Sequence, residues 1–225
     1  MGYEQSSNCW YRDVCDLDDC DNCIRYMEMK YLLDNSQIPK NRQVPISLEA
    51  GVDYEAFCQL ADIKDDIVQE VSNGLNLFIC SKETGNGKTS WAIKLLLKYF
   101  DEIWAGNGFR IRGLFIHVPT FLNELKDFDN PISQSYKEQI LTADLVVWDD
   151  IASYRLSDYD ITQLLTYIDR RVLQNRANIY TANVISFASL TNNVGARLAS
   201  RIWNTSSVIE LKGKDKRYGS TTDIE

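Results

Sequence analysis

Two rhythms of apolar residues alternate along the chain. Short, mostly apolar runs at 75–80, 113–119, 145–148, 178–184 and 207–211 have the length and bulk of buried strands. Elsewhere apolar residues return every three or four positions, the period of a helix with one buried face. This holds at Ile24, Met27, Tyr31 and Leu32, at Trp91, Ala92, Leu95, Leu96 and Tyr99, and at Ile161, Leu164, Leu165, Ile168 and Val172. Further helices are predicted from about Glu55 to Val71, from Thr120 as a cap, over about 133–142, and around 194–203. Strands that alternate with helices predict an α/β three-layer domain, a parallel sheet with helices on both faces. Asn35, Ser36 and Pro39 stop the first helix and place a boundary near residue 40. The chain therefore divides into a small segment, 1–40, and a main domain, 41–225, in which 41–57 reads as a lead-in strand or loop.

The chemistry gathers where these elements meet. The first strand of the main domain runs into Ser81-Lys82-Glu83-Thr84-Gly85-Asn86-Gly87-Lys88-Thr89-Ser90 and then into a helix, the order of a phosphate loop. Gly85 and Gly87 can take the positive φ angles that turn backbone N–H groups toward a phosphate. Lys88 can reach the β and γ phosphates, the Thr89 hydroxyl can ligate Mg²⁺, and the helix dipole adds positive potential. Lys82 stands where the G-x-x-x-x-G-K-[ST] pattern asks for glycine. The run Leu145-Val146-Val147-Trp148 ends in Asp149 and Asp150, carboxylates delivered to the same sheet edge. Asp149 reads as the Mg²⁺-organising acid and Asp150 as the group that polarises an attacking water. Asn183, at the end of the next strand, is placed to hydrogen-bond a γ-phosphate or that water. Arg197 and Arg201 share a helix face, either paired with surface acids or with one of them reaching a neighbouring subunit's γ-phosphate. His117, the single histidine, is a packed or strand-end residue by its apolar neighbours.

Composition narrows the setting. The chain has 225 residues, 44% hydrophobic and 25% charged, with no run long enough for a membrane span and no secretory signal pattern at its start. A cytoplasmic location is expected. A net charge of −8 argues against coating duplex DNA by bulk electrostatics, so any nucleic-acid contact is local. Cys9, Cys15, Cys20 and Cys23 follow a C-x5-C-x4-C-x2-C spacing, which reads as a zinc site, with disulfides or free thiols as the alternatives. Asp13, Asp16, Asp18, Asp19 and Asp21 make that segment acidic, a surface that a partner protein can read. Cys58 and Cys80 lie among apolar neighbours as buried thiols.

The order of phosphate loop, Asp149-Asp150, Thr181-Ala182-Asn183, the Arg197/Arg201 helix and the basic stretch 212–217 resembles an AAA+ ATPase. More narrowly, it resembles the DnaC/DnaI helicase loaders, especially the short versions of bacteriophages and prophages, over about 42–217. The resemblance implies Mg²⁺-dependent ATP hydrolysis, with ATP or ADP and Mg²⁺ as cofactors, and no separate helical lid. It implies Asn183 as sensor 1, Arg201 as a trans-acting arginine finger with Arg197 beside it, and Arg217 as a sensor-2-like arginine. Asp150 stands where many members carry glutamate. The cysteine segment resembles the zinc region through which DnaI-type loaders bind the replicative (DnaB-type) helicase, which implies Zn²⁺ there, and the family resemblance as a whole implies a homo-oligomer and single-stranded DNA as further partners. Phe121 and Lys126 are the DNA-contact candidates within that scheme. Two rival readings keep the nucleotide site: an IstB-like regulator of DNA transposition, and a non-hydrolysing, nucleotide-switched helicase adaptor or inhibitor.

Overall fold

The computed structural model describes residues 15, 23–43, 50–127 and 132–213. Its centre is a parallel sheet of β1 (Asn76–Cys80), β2 (Gly113–His117), β3 (Leu145–Asp149), β4 (Ala177–Ala182) and β5 (Ser207–Glu210), in the order β2-β3-β4-β1-β5. Alternate residues of each strand feed opposite cores. Leu77 and Ile79 of β1 and Leu145 and Val147 of β3 face one cluster, while Phe78, Cys80, Val146 and Trp148 face the other. The first cluster is closed by α1 (Ile24–Asp34), α2 (Tyr54–Asp65), α3 (Ile67–Ser72) and α4 (Lys88–Ile103). The second is closed by α5 (Val118–Leu125), α6 (Gln134–Thr142), α7 (Asp158–Leu173), α8 (Phe187–Val194) and α9 (Ala196–Trp203). This is the three-layer α/β arrangement that the strand–helix alternation predicts, and among the described residues no helical lid follows β5.

Local chemistry explains where the elements differ from the periodicity. The helix predicted over 55–71 is two helices, because Asp66 leaves helical geometry at φ −113° and ψ 26°. The helix predicted to start at Thr120 begins at Val118, directly after β2, with Pro119 in its first turn, where the missing N–H is no loss. The stretch 194–203 is cut by Gly195, whose φ of 77° ends α8 and starts α9. Ser157 caps α7 as predicted, within a reciprocal capping box with Asp160.

The segment following Cys23 packs tightly on the main domain. Met29, Leu32, Leu33 and Ile38 join the first core cluster, and Ser36 O accepts a 2.7 Å hydrogen bond from Phe115 N at the β2 edge. Arg25 pairs with Asp101 at 3.4 Å and lies over the Trp104 ring. Buried Glu28 accepts from Asn107 Nδ2 and Phe109 N, each at 3.3 Å, which ties α1 to the turn after α4.

Candidate nucleotide-binding site

β1 enters the loop 81–87 at the carboxyl end of the sheet, and the loop is held by its own side chains. Ser81 Oγ accepts from Glu83 N at 2.8 Å and donates to Glu83 O at 2.9 Å, which folds the chain back at once. Asn86 Nδ2 donates to Ser81 Oγ at 2.5 Å and to Leu211 O at 3.2 Å, and so fastens the loop to the end of β5. Gly85 and Gly87 have φ of 69° and 107°, the left-handed region that the loop's turn requires. Lys82 is exposed and not among the positive-φ residues, so the position where the pattern asks for glycine needs no glycine backbone here. α4 then starts at Lys88, with its first-turn N–H groups directed toward the loop.

Lys88 is buried, with Nζ donating to Glu83 O at 2.7 Å and to Asn86 Oδ1 at 3.2 Å. These neutral acceptors hold the ammonium over the loop, and a phosphate oxygen is a stronger acceptor for it. From β3, Asp149 is 6% exposed, and its Oδ1 accepts from Thr89 Oγ1 at 2.8 Å and from Thr181 Oγ1 at 2.7 Å. Thr181 Oγ1 also accepts the Asp150 N–H at 3.0 Å. The β4 threonine thus sits between the two acids, a function that sequence reasoning assigned to no residue. Its signal was present: Thr181 is a hydroxyl residue near the carboxyl end of the strand beside the one that carries the acids.

Asp150 takes φ of 60°, the left-handed region that aspartate tolerates better than most residues, and the chain turns there onto β4 through Ile151 N to Thr181 O. Burial raises the Asp150 carboxyl above its ordinary range, and the neighbouring Asp149 charge raises it further, while His117 and Lys88 pull it down. His117 is an exposed strand-end residue, register partner of Asp149, with Nδ1 2.8 Å from Thr120 Oγ1. Its place beside the acids is a tertiary fact that its apolar sequence neighbours concealed.

The structure therefore brings Asn86, Lys88, Thr89, Asp149 and Asp150 to one edge, with Gly85, Gly87 and Ser90 in the loop and first turn beside them. The Thr89 hydroxyl and Asp149 carboxylate are adjacent oxygen donors of the kind that Mg²⁺ prefers. Asn183 is exposed just past β4, whereas Arg197 and Arg201 pair with Asp169 of α7. Phe121 is buried against Trp148 and Tyr167, which removes it as a stacking surface, and Lys126 Nζ pairs with Asp160 Oδ1 at 2.7 Å. Cys9, Cys20 and Arg217 lie outside the described residues, and among those described no group of three or more acids, cysteines and histidines forms a metal cluster.

No family model and no curated protein matches the chain. Among solved structures, the DnaC helicase loader superposes with a TM-score of 0.65 at 20% identity, covering 77% of this chain and 100% of that one. DnaI superposes with a TM-score of 0.63 at 16% identity, covering 78% of this chain and 95% of that one. The chain shares the fold of these two helicase-loader structures. The replication initiator DnaA bound to AMPPCP and single-stranded DNA shares that fold more distantly, with a TM-score of 0.54 at 15% identity over 82% of this chain and 50% of that one. Within that fold, the edge that carries Lys88, Thr89 and Asp149 is the carboxyl end of the parallel strands, where open α/β sheets bind ligands.

Proposed function

We propose that this chain is an ATP-driven loader that places a DnaB-type replicative helicase on single-stranded DNA, in the setting of phage DNA replication in a bacterial cytoplasm. The observation that carries the reading is the match to the whole chain in the crystal structure of the DnaC helicase loader, with the phosphate loop and Asp149 joined through Thr89. The ligand state of the similar DnaA, AMPPCP with single-stranded DNA, supports the same classes of ligand here. In this reading Lys88 and the loop amides bind the triphosphate of ATP, and Thr89 and Asp149 hold Mg²⁺, which when bound offsets phosphate charge. Asp150 orients the attacking water and accepts its proton, with Asn183 next to the γ-phosphate and Arg201 reaching it from the adjacent subunit. Arg217 acts as the second sensor. ADP remains after each turnover. The 1–40 segment, with Zn²⁺ held by Cys9, Cys15, Cys20 and Cys23, binds the helicase, and 41–225 is the motor.

The exposed surface around Lys126 supports a DNA contact. Asp160 raises the Lys126 ammonium, and Tyr154 and Tyr159 act on it in the same direction. Tyr154 is 40% and Tyr159 49% exposed, so this region carries a cation and two accessible rings, the combination that tracks a single strand by charge and stacking. Tyr154 and Tyr159 replace Phe121 as the aromatic part of that surface. The reading is tested by co-purification of the full chain with its host's replicative helicase, with and without a zinc chelator, and by ATPase assays with single-stranded DNA. Capture that the chelator abolishes, together with stimulated turnover, is expected. Absence of both helicase capture and turnover would overturn the reading, and capture without turnover would favour the non-hydrolysing adaptor.

A further inference from the structure

One carboxylate of α7 faces both arginines of α9. Arg201 Nε lies 2.6 Å from Asp169 Oδ1, and Arg197 Nη2 lies 3.8 Å from Asp169 Oδ2. The acid is the sheltered partner, with its side chain 20% exposed against 42% for Arg201 and 74% for Arg197. It stands next to buried Tyr167 and Ile168 on α7, while Leu198, Ala199 and Ile202 anchor α9 below the arginines. Both helices are fixed, so the guanidinium groups are the parts free to re-aim. A pair this exposed contributes little stability. Its geometric effect is larger, because the carboxylate lies close enough to hold the guanidinium by charge, yet Asp169 Oδ1 takes no hydrogen bond from it, so the Arg201 N–H donors stay available to another acceptor.

We infer that Asp169 is a positioning residue that aims Arg201 at the nucleotide of a neighbouring subunit, with Arg197 as the cation that takes over the acid when Arg201 engages phosphate. This rests on the proposed reading of Arg201 as a trans-acting finger. The exchange follows from proximity: Arg197 already lies within ion-pair distance of the second oxygen, so the carboxylate keeps a cation beside it when Arg201 turns away. Asp169 therefore acts on the donor side of the interface, not on the side that holds the nucleotide.

Mixed full-length subunits separate the two sides. Lys88→Ala donates Arg201 but holds no nucleotide, and Arg201→Ala holds nucleotide but donates no finger, so turnover in their mixture comes from interfaces between the two. Adding Asp169→Asn to the Lys88→Ala subunit should lower the rescued kcat about three- to fivefold, the factor available to a partly exposed ion pair, with KM for ATP unchanged. The same substitution in the Arg201→Ala subunit should leave turnover as it was, and Asp169→Glu in the donor should restore part of the loss. Equal loss on both sides, or no loss on either, overturns the proposal while leaving the finger in place. No rescue in the parent mixture overturns the finger reading itself, and the role of Asp169 with it.

Discussion

Arg171 and Lys88 are both buried cations at the edges of one sheet, yet their surroundings differ in kind. Arg171, at the amino end of the strands, is fully buried and donates to Asn178 Oδ1 at 2.8 Å and to the carbonyls of Ile140, Ala143 and Ala177 at 2.7, 2.8 and 2.5 Å. Trp148 Nε1 also donates to Asn178 Oδ1, and Asn178 Nδ2 donates to Asn76 Oδ1 and Arg176 O. α6, α7 and β4 are thereby joined through one guanidinium, and β3 and β1 through the Asn178 amide it meets; burial pulls the guanidinium down to about 9, still charged near neutrality. Lys88, at the carboxyl end, is held by one carbonyl and one amide oxygen of its own loop. At the amino end the guanidinium is closed in by fixed carbonyl and amide acceptors, while the carboxyl end keeps acceptors that a phosphate can displace. Rigidity and exchange are thus divided between the two edges.

Substitutions should separate these edges, most severely at the amino end. Arg171→Met would strand several buried carbonyls and the Asn178 amide, at a cost of about 3–5 kcal/mol, and lower the melting temperature by roughly 6–20 °C. Arg171→Lys should fare little better, because one ammonium cannot span the same acceptors. Calorimetry checks both, and a shift under about 3 °C would remove the contrast. Lys88→Ala should weaken ATP binding by about a hundredfold or more in a fluorescent-nucleotide titration, while moving the melting temperature by no more than about 2 °C. Equal nucleotide affinity in that variant would sink the site assignment.

Asp150→Asn sharpens the comparison from within the site. The folded state raises the Asp150 pKa, so this group's contribution to stability falls as pH rises from the ordinary aspartate range through the raised value. Near neutrality the charge is present and disfavoured, so the asparagine variant should melt about 1–3 °C higher while turnover is lost. Asparagine also suits the φ of 60° at this position. In the wild type, turnover should fall as pH drops toward the raised pKa, since protonated Asp150 cannot take the water's proton. The smallest effect belongs to Lys82→Gly: an exposed residue with ordinary backbone geometry should change ATP affinity less than about twofold.

The nucleotide edge was readable because its signals are local. Strand, loop glycines, Lys88-Thr89 and the α4 periodicity lie within one stretch, and Asp149-Asp150 end a run of four apolar residues. The amino end was not. Arg170 and Arg171 occur together on the last turns of α7, where charge reads as a solvated face, yet Arg170 is exposed and Arg171 is fully enclosed by α6, β3 and β4. Burial of that kind is set by distant elements and leaves no mark in the local pattern. The α2–α3 break at Asp66 is likewise silent, with no glycine or proline to signal it, whereas Gly195 did carry a signal that the continuing apolar spacing of Val194 and Leu198 overrode. Phe121 fell on the helical period and joined the core, and the accessible rings proved to be Tyr154 and Tyr159, in and just after a connection with no periodicity to place it.

The most direct measurement is transfer of purified replicative helicase onto closed circles of single-stranded DNA, scored by recovery of DNA-bound helicase after a high-salt wash. With the wild-type chain and ATP, recovery should rise several-fold over helicase alone, and with Lys88→Ala it should return to that baseline. Equal recovery with wild type and Lys88→Ala, or none above baseline with either, would contradict the account.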